Sequence, residues 1–381
     1  MRRVALILTA LFISASTLTG LAPTVGDSPG IHTACTGGPD ISLTDFRHTE
    51  FYSCVDQLFN ERFPYRDPLR RTKALVDYYV FRSSPVSEVH VGTDGWLYYR
   101  DELDDYRKTA CGEEDAARAL ARSFQDIERV IVTSGKRFVL VVAPNKSTIY
   151  PEYVGLKQSQ TCGKSFYDLF LAALEEYPVS GFIRVDQLLL EAKRRKQVYF
   201  KTDTHWNEVG AHLVASRILL EFPQTTWRAD LEEVTITSEE RRGDLARLMG
   251  LNVEETVQNI NMKPHQFVEL VEPGSPPFRY FDHIRVNPQE TADRILLPRA
   301  VFYRDSFMVI LLKFLKGAFE QIDTYWFGEG ANRFPAQGSE ETLRDSKIVF
   351  VEVVERQLPF FKIGADVIQG LLGANSALAG S

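Results

Sequence analysis

The stretch "EEDAARALARSFQDIERVIVTSGKRFVLVVAPNK", from Glu113 to Lys146, decides the fold class. In its first part Leu120, Phe124, Ile127 and Ile131 recur at helical spacing on one face. Three acids open the run, where the positive end of a helix favours them, and Gly135 closes it. The second part, "RFVLVVAP", is continuously apolar from Phe138 to Ala143, as expected of a parallel strand covered on both faces. A one-faced helix feeding a doubly covered strand is the repeating unit of an α/β layer fold.

Outward from this stretch the same rhythm returns. The pattern predicts a helix over 166–174, a strand over 182–185, a helix near 188–196 and a short strand at "VYF", 198–200. After "THWN" a further helix carries Ala211, Val214, Ala215, Ile218 and Phe222 as a stripe. Then come the strand "RAVFY", the helix "MVILLKFLKGAF" and the strands "DTYWF" and "KIVFVEVVE". The expectation is an α/β fold with a mostly parallel central sheet. Ahead of it, two helices break at Phe63-Pro64, and Asp94-Gly95 between apolar segments marks a tight hairpin. The proline-rich, charged text at about 227–298 interrupts the rhythm and reads as an insertion beside the site. The small, polar tail 371–381 is expected to fray.

A chain of 381 residues with 44% hydrophobic content can bury a sizeable core. Its net charge of -7, with Lys and Arg scattered, leaves no basic patch for nucleic acid. The opening "MRRVALILTALFISASTLTGLAP" has two arginines before an apolar run, the pattern of an export signal over residues 1–25. Cleavage near Ala22 and retention as a membrane anchor are both open, because a spanning helix needs roughly 20 apolar residues and this run is borderline. Four cysteines in an exported chain are expected to pair, and of three connectivities the sequence-local one, Cys35 with Cys54 and Cys111 with Cys162, is favoured. No Cys-x-x-Cys spacing supports a zinc ribbon or a thioredoxin-type site.

In open parallel sheets ligands bind beyond the carboxyl ends of the strands, which directs attention to "APNK", "TDTHWN" and "RDSF". Ser306 stands between an apolar strand and an apolar helix, where its backbone N–H would face a developing negative oxygen. The competing reading is a helix N-cap. Asp203 and His205, two apart on extended chain, project to the same side, as a base and the carboxylate that orients it must. Asn207 then caps the next helix, and Trp206 is a candidate to stack on a sugar ring. Asn145 is a candidate oxyanion donor, and Lys146 and Arg304 join it as candidate substrate or oxyanion contacts. A metal held by Asp203, His205 and His212 is the alternative, weakened by His212 lying in a core-packed helix, and no metal or other cofactor is assigned. No Gly-x-Ser-x-Gly elbow or phosphate loop is present.

"RDSF" resembles the Gly-Asp-Ser-Leu block of SGNH hydrolases. Together "NERFPYRD", "VGTDGWLYY", "APNKSTIYPEY", "KTDTHWNEVGA", "GDLARLMGL" and "FYRDSF" are similar to the SGNH-like domain of alginate O-acetyltransferases of the AlgJ and AlgX type. The resemblance runs from about Asn60 to Glu355, with the Asp-x-His block ahead of the serine, a permuted order relative to ordinary SGNH esterases. It implies a helical lead-in over 26–85 and an SGNH-like three-layer domain over 86–370. It also implies an extracytoplasmic enzyme moving acetyl groups to polysaccharide hydroxyls, with Ser306 as nucleophile, His205 as base and acid, and Asp203 orienting it. A membrane-bound acyltransferase that supplies the acetyl group is the implied partner. The same residues would serve a carbohydrate acetylesterase, and a non-catalytic glycan-binding assembly subunit is the reading from another class. Nothing in the sequence specifies alginate as the polymer.

Overall fold

The computed structural model describes residues 66–158, 161–227, 234–262, 267–271, 281–286, 294–326, 333–336, 338–363 and 370. The expected export signal, the helix ahead of Phe63-Pro64, Cys35, Cys54 and the tail lie outside the described residues. The chain divides into two units, 1–72 and 73–381, and apart from residues 66–72 the second holds everything described below.

Helix α1 (Arg66–Tyr79) is followed by the hairpin of β1 (Val89–Val91) and β2 (Leu97–Tyr99), then α2 (Glu102–Arg107) and the long α3 (Glu114–Thr133). Strand β3 (Arg137–Ala143) runs into the single turn α4 (Lys146–Ile149), and α5 (Phe166–Glu176), β4 (Phe182–Ile183) and α6 (Asp186–Ala192) complete the first half. Helix α7 (Glu208–Leu219) precedes an irregular region made of β5 (Val234–Arg241), α8 (Asp244–Leu248), β6 (Glu255–Met262), β7 (Phe267–Val271) and β8 (Phe281–Val286). The regular pattern resumes with β9 (Ala300–Arg304), α9 (Met308–Leu315), β10 (Gln321–Trp326), β11 (Arg333–Phe334), α10 (Glu340–Asp345), β12 (Ile348–Val354) and β13 (Lys362–Ile363).

Seven strands form the central sheet in the order β4-β3-β12-β9-β10-β8-β7. The first five are parallel, and β8 and β7 add an antiparallel edge. Side chains alternate across it: Val139, Val141, Phe302 and Phe350 join one core with α7 and α9, while Leu140, Val142, Val301 and Val351 join another with α3 and α5. All four expected α3 residues, Leu120, Phe124, Ile127 and Ile131, are buried in the second core, each such side chain contributing roughly 1.5–3 kcal/mol by leaving water. Helices cover both faces, which is why these strands read as unbroken apolar runs.

The Asp94-Gly95 turn is as expected, with φ of 53° and 80°, left-handed at both central positions. That is the geometry whose twist matches a tight hairpin. One expected strand is absent: at "VYF" only Tyr199 pairs, in an isolated antiparallel bridge with Trp206. The segment instead folds back on its own loop through Phe200 N–H to His205 O (3.2 Å) and Asn207 N–H to Val198 O (3.0 Å). Among the described residues no helix is long and apolar enough to cross a membrane.

Candidate active site

The carboxyl ends of β3, β12 and β9 lie side by side in the sheet, so whatever follows each strand meets at one rim. After β9 the chain turns through Asp305 and Ser306 into α9. Asp305 ties this turn at both ends, its Oδ1 accepting from Phe307 N–H (2.8 Å) and its Oδ2 from Val354 N–H (2.6 Å). Ser306 is not a helix cap, since α9 begins after Phe307 with no side-chain cap. Its Oγ instead bonds His205 Nε2 at 2.7 Å.

His205 reaches the serine from the loop between residues 198 and 207. Its other nitrogen, Nδ1, lies 2.7 Å from Asp203 Oδ1, and its backbone N–H donates to the same oxygen at 3.2 Å. Asp203 Oδ2 accepts the backbone N–H of Asp244 at 3.1 Å and has the Arg241 guanidinium 3.6 Å away. Burial by itself would raise this carboxyl. The hydrogen bond and charge of His205, with the amides of His205 and Asp244, hold it well below the usual carboxylate range. Asp203 is therefore an anion that fixes the ring with Nδ1–H donated to it, leaving Nε2 free to accept the serine proton.

The loop is held from beneath by Lys146, which is fully buried. Its Nζ donates to the carbonyls of Phe200 (3.3 Å), Lys201 (3.2 Å) and Asp203 (2.7 Å). From the other side Glu255 on β6 accepts the amides of Lys201 (2.8 Å) and Thr202 (2.7 Å). Asn207 caps α7 by accepting Gly210 N–H at 3.0 Å, as its position suggested.

Three expected contacts take other roles. Trp206 is fully buried, edge-on to Phe307 and donating Nε1–H to Phe307 O at 3.0 Å, so it offers no face to a sugar. Lys146 is the staple just described, its Nζ hydrogens committed to three carbonyls of the loop. Asn145 is fully buried, its Nδ2 donating to Asp105 Oδ2 at 3.0 Å, which makes it a brace between β3 and α2. Arg304 is buried with its guanidinium carbon 5.4 Å from the Trp326 ring centroid.

Among the described residues the ligand-type side chains that converge are Asp203, His205 and Asp244, without His212. His212 faces Phe314 from α7. Of the converging groups, His205 Nδ1 and both Asp203 oxygens already have hydrogen-bond partners, as does Asp244 Oδ1, which accepts Thr204 N–H at 2.7 Å. Sequence reasoning missed Arg241, Asp244 and Glu255. The signal for Asp244 was at hand in "GDLARLMGL", where Gly243 lets the chain lie flush on the Thr202 carbonyl.

A parallel α/β sheet with an Asp-His-Ser relay at its carboxyl rim defines an SGNH-hydrolase-like domain. Residues 89–274 match the family described as "SGNH hydrolase-like domain, acetyltransferase AlgX". The match takes in Asp203 and His205, while Ser306 lies beyond it and is joined to them by geometry. The chain is 30% identical over 207 residues to the "Probable alginate O-acetylase AlgJ" of Pseudomonas aeruginosa, covering 51% of this chain and 49% of that protein. It is 30% identical over 162 residues to the protein of the same name from Pseudomonas syringae pv. tomato, covering 42% and 39%. The chain thus spans about half the length, or less, of these curated relatives. Among solved structures, Bacillus cereus PatB1 with a sulfonyl adduct superposes with a TM-score of 0.50 at 14% identity, over 71% of this chain and 98% of that one, a likeness of fold.

Proposed function

We propose that this protein is an extracytoplasmic O-acetyltransferase that moves acetyl groups to hydroxyls of a polysaccharide through an acetyl-serine intermediate. The observation that carries the reading is the unbroken relay from Asp203 through His205 to Ser306, with both ring nitrogens engaged at 2.7 Å. A serine hydroxyl is a weak nucleophile until a positioned base takes its proton. In the first step Ser306 Oγ attacks the donor's acetyl carbonyl while its proton passes to His205 Nε2. The proton then goes to the departing donor group as its bond to the acetyl carbon breaks. In the second step a sugar hydroxyl gives its proton to Nε2 and attacks the acetyl-serine, and Ser306 leaves with that proton returned. Asp203 stabilises the imidazolium formed in each step.

The names of the AlgJ relatives support the acetyl group and the polysaccharide class. The leader sequence supports an extracytoplasmic site of action, and a membrane-bound acyltransferase is the proposed source of the acetyl group. The test compares wild type with Ser306→Ala on an acetyl-ester donor and a glycan acceptor. Wild type is expected to give a glycan heavier by one acetyl per event in the mass spectrum, and Ser306→Ala none. Free acetate with unmodified glycan would make the protein an esterase, and equal rates for the two proteins would end the catalytic reading.

A further inference from the structure

Behind Ser306 two acidic side chains meet, and the two-step mechanism uses neither. Asp305 precedes the nucleophile, and Glu352 lies fully buried on β12. Glu352 Oε2 accepts the Asp305 N–H at 3.2 Å. Glu352 Oε1 is sealed from solvent, and among the described residues no N–H or O–H reaches it. Beyond the effect of burial, the Asp305 side chain is near enough that its charge, and hydrogen bonding with it, raise the Glu352 carboxyl. Two ionised carboxylates cannot hydrogen-bond, because both only accept. Both Asp305 oxygens already accept backbone amides, from Phe307 and Val354, so the hydrogen between the two side chains is placed on Glu352.

We propose that Glu352 is a positioning residue for Ser306 that acts as a carboxylic acid, giving its hydrogen to the Asp305 carboxylate while accepting the Asp305 amide. This closes a ring of hydrogen bonds around the turn between β9 and α9 and sets the direction of Ser306 Oγ toward His205. The surroundings agree. Burial first, then the Asp305 charge, raise Glu352 well above the usual carboxyl range, with the Asp305 amide and Arg304 opposing. Among the described residues Arg304, over the Trp326 ring, and Asp305 are the charged groups whose fields act on it. Its register partner on β3 is the apolar Val141, and α9 opens with the apolar Met308 and Val309. Farther along the same chain Glu355 is raised by its own burial. Removing the bridging hydrogen would set two like charges together in a water-free site, and the turn would have to open.

The proposal rests on reading Ser306 as the nucleophile, and its test separates the two. Glu352→Gln keeps a donor and an acceptor in the same shape, whereas Glu352→Leu keeps only bulk. The first measurement is the rate at which phenylmethylsulfonyl fluoride labels Ser306 across pH. Glu352→Gln is expected within about threefold of wild type at neutral pH and without the wild-type decline in alkali, and Glu352→Leu at least about tenfold slower, as for a misplaced nucleophile. The second is the thermal midpoint across pH, which needs no activity: it should fall in alkali more steeply for wild type than for Glu352→Gln. Glu352→Gln as slow as Glu352→Leu, failing to fold, or giving a thermal curve parallel to wild type would overturn the proposal. If Ser306 takes no label even in wild type, the reading of the nucleophile fails and the thermal curves still decide where the hydrogen is.

Discussion

His205 is pinned through both ring nitrogens, and the two contacts differ in kind. In the proposed mechanism the bond to Ser306 is the one that reacts, while the bond to Asp203 fixes which nitrogen carries the hydrogen. Asp203→Asn keeps the shape but presents the ring with a donor, so kcat is expected to fall by about 10²–10⁴-fold with little change in KM, measured on an acetyl-ester substrate. The carboxyls here pull pH dependence in opposite directions. Asp203 is held low, so its share of stability is present above the unfolded value of about 3.9 and is lost as pH falls below it. Asp105, beside Asn145, is pushed up to about 7, by burial first, with the hydrogen bond from Asn145 opposing. Its contribution is full below the unfolded value and is lost as pH rises through about 7. Thermal midpoints taken from about pH 5 to 8 should therefore drop more for wild type than for Asp105→Asn; identical slopes would remove Asp105 as the cause.

The loop carrying Asp203 and His205 belongs to no strand or helix, and its precision comes from neighbouring elements. Lys146 at the start of α4 serves three carbonyls of the loop, and Glu255 on β6 serves two of its amides. Lys146→Met leaves those carbonyls buried without donors, at about 1–3 kcal/mol each. Chemical denaturation should show at least about 3 kcal/mol of lost stability, with kcat falling although no reacting group is touched. The approach of α8 is equally tight. A Cβ on Gly243 would run into the Thr202 carbonyl and the Asp203 amide. Gly243→Ala should push α8 away and cost Asp203 the Asp244 amide, lowering kcat by about tenfold or more, while Gly135→Ala, where φ is 76° ahead of the amino end of β3, should leave kcat unchanged and lower only stability.

At the scale of the molecule the sheet gathers the site, and a covalent tie secures the flank. Cys111 and Cys162 are bonded across a sequence separation of 51, joining the start of α3 to the segment before α5. For a loop of that length the chain-entropy model gives about 4 kcal/mol. Cys111→Ser with Cys162→Ser is expected to lower stability by about 2–4 kcal/mol in denaturant titration, with the activity of the folded fraction kept, because the relay lies on other elements. Loss of activity at full folding would show that the tie also shapes the site.

The sequence by itself determined the layers and singled out the groups proposed to react. Unbroken apolar runs at 138–143 and 348–354 require cover on both faces, and one-faced helices between them supply it. The Asp-x-His spacing and a serine after a buried strand named the relay, since these side chains carry their chemistry wherever they are placed. What it misjudged were residues whose role depends on neighbours far along the chain. Lys146, Trp206 and Asn145 read as contacts for a ligand because each follows a strand end or adjoins the histidine, but polar atoms buried there had to satisfy partners 40 to 101 positions away. "VYF" looked like a strand by composition and failed to become one because pairing is decided by what lies alongside. Only the tertiary structure brought Asp244 to Asp203 and Glu352 to Asp305, for burial and hydrogen-bond satisfaction are properties of the folded neighbourhood and leave no periodic mark in the chain.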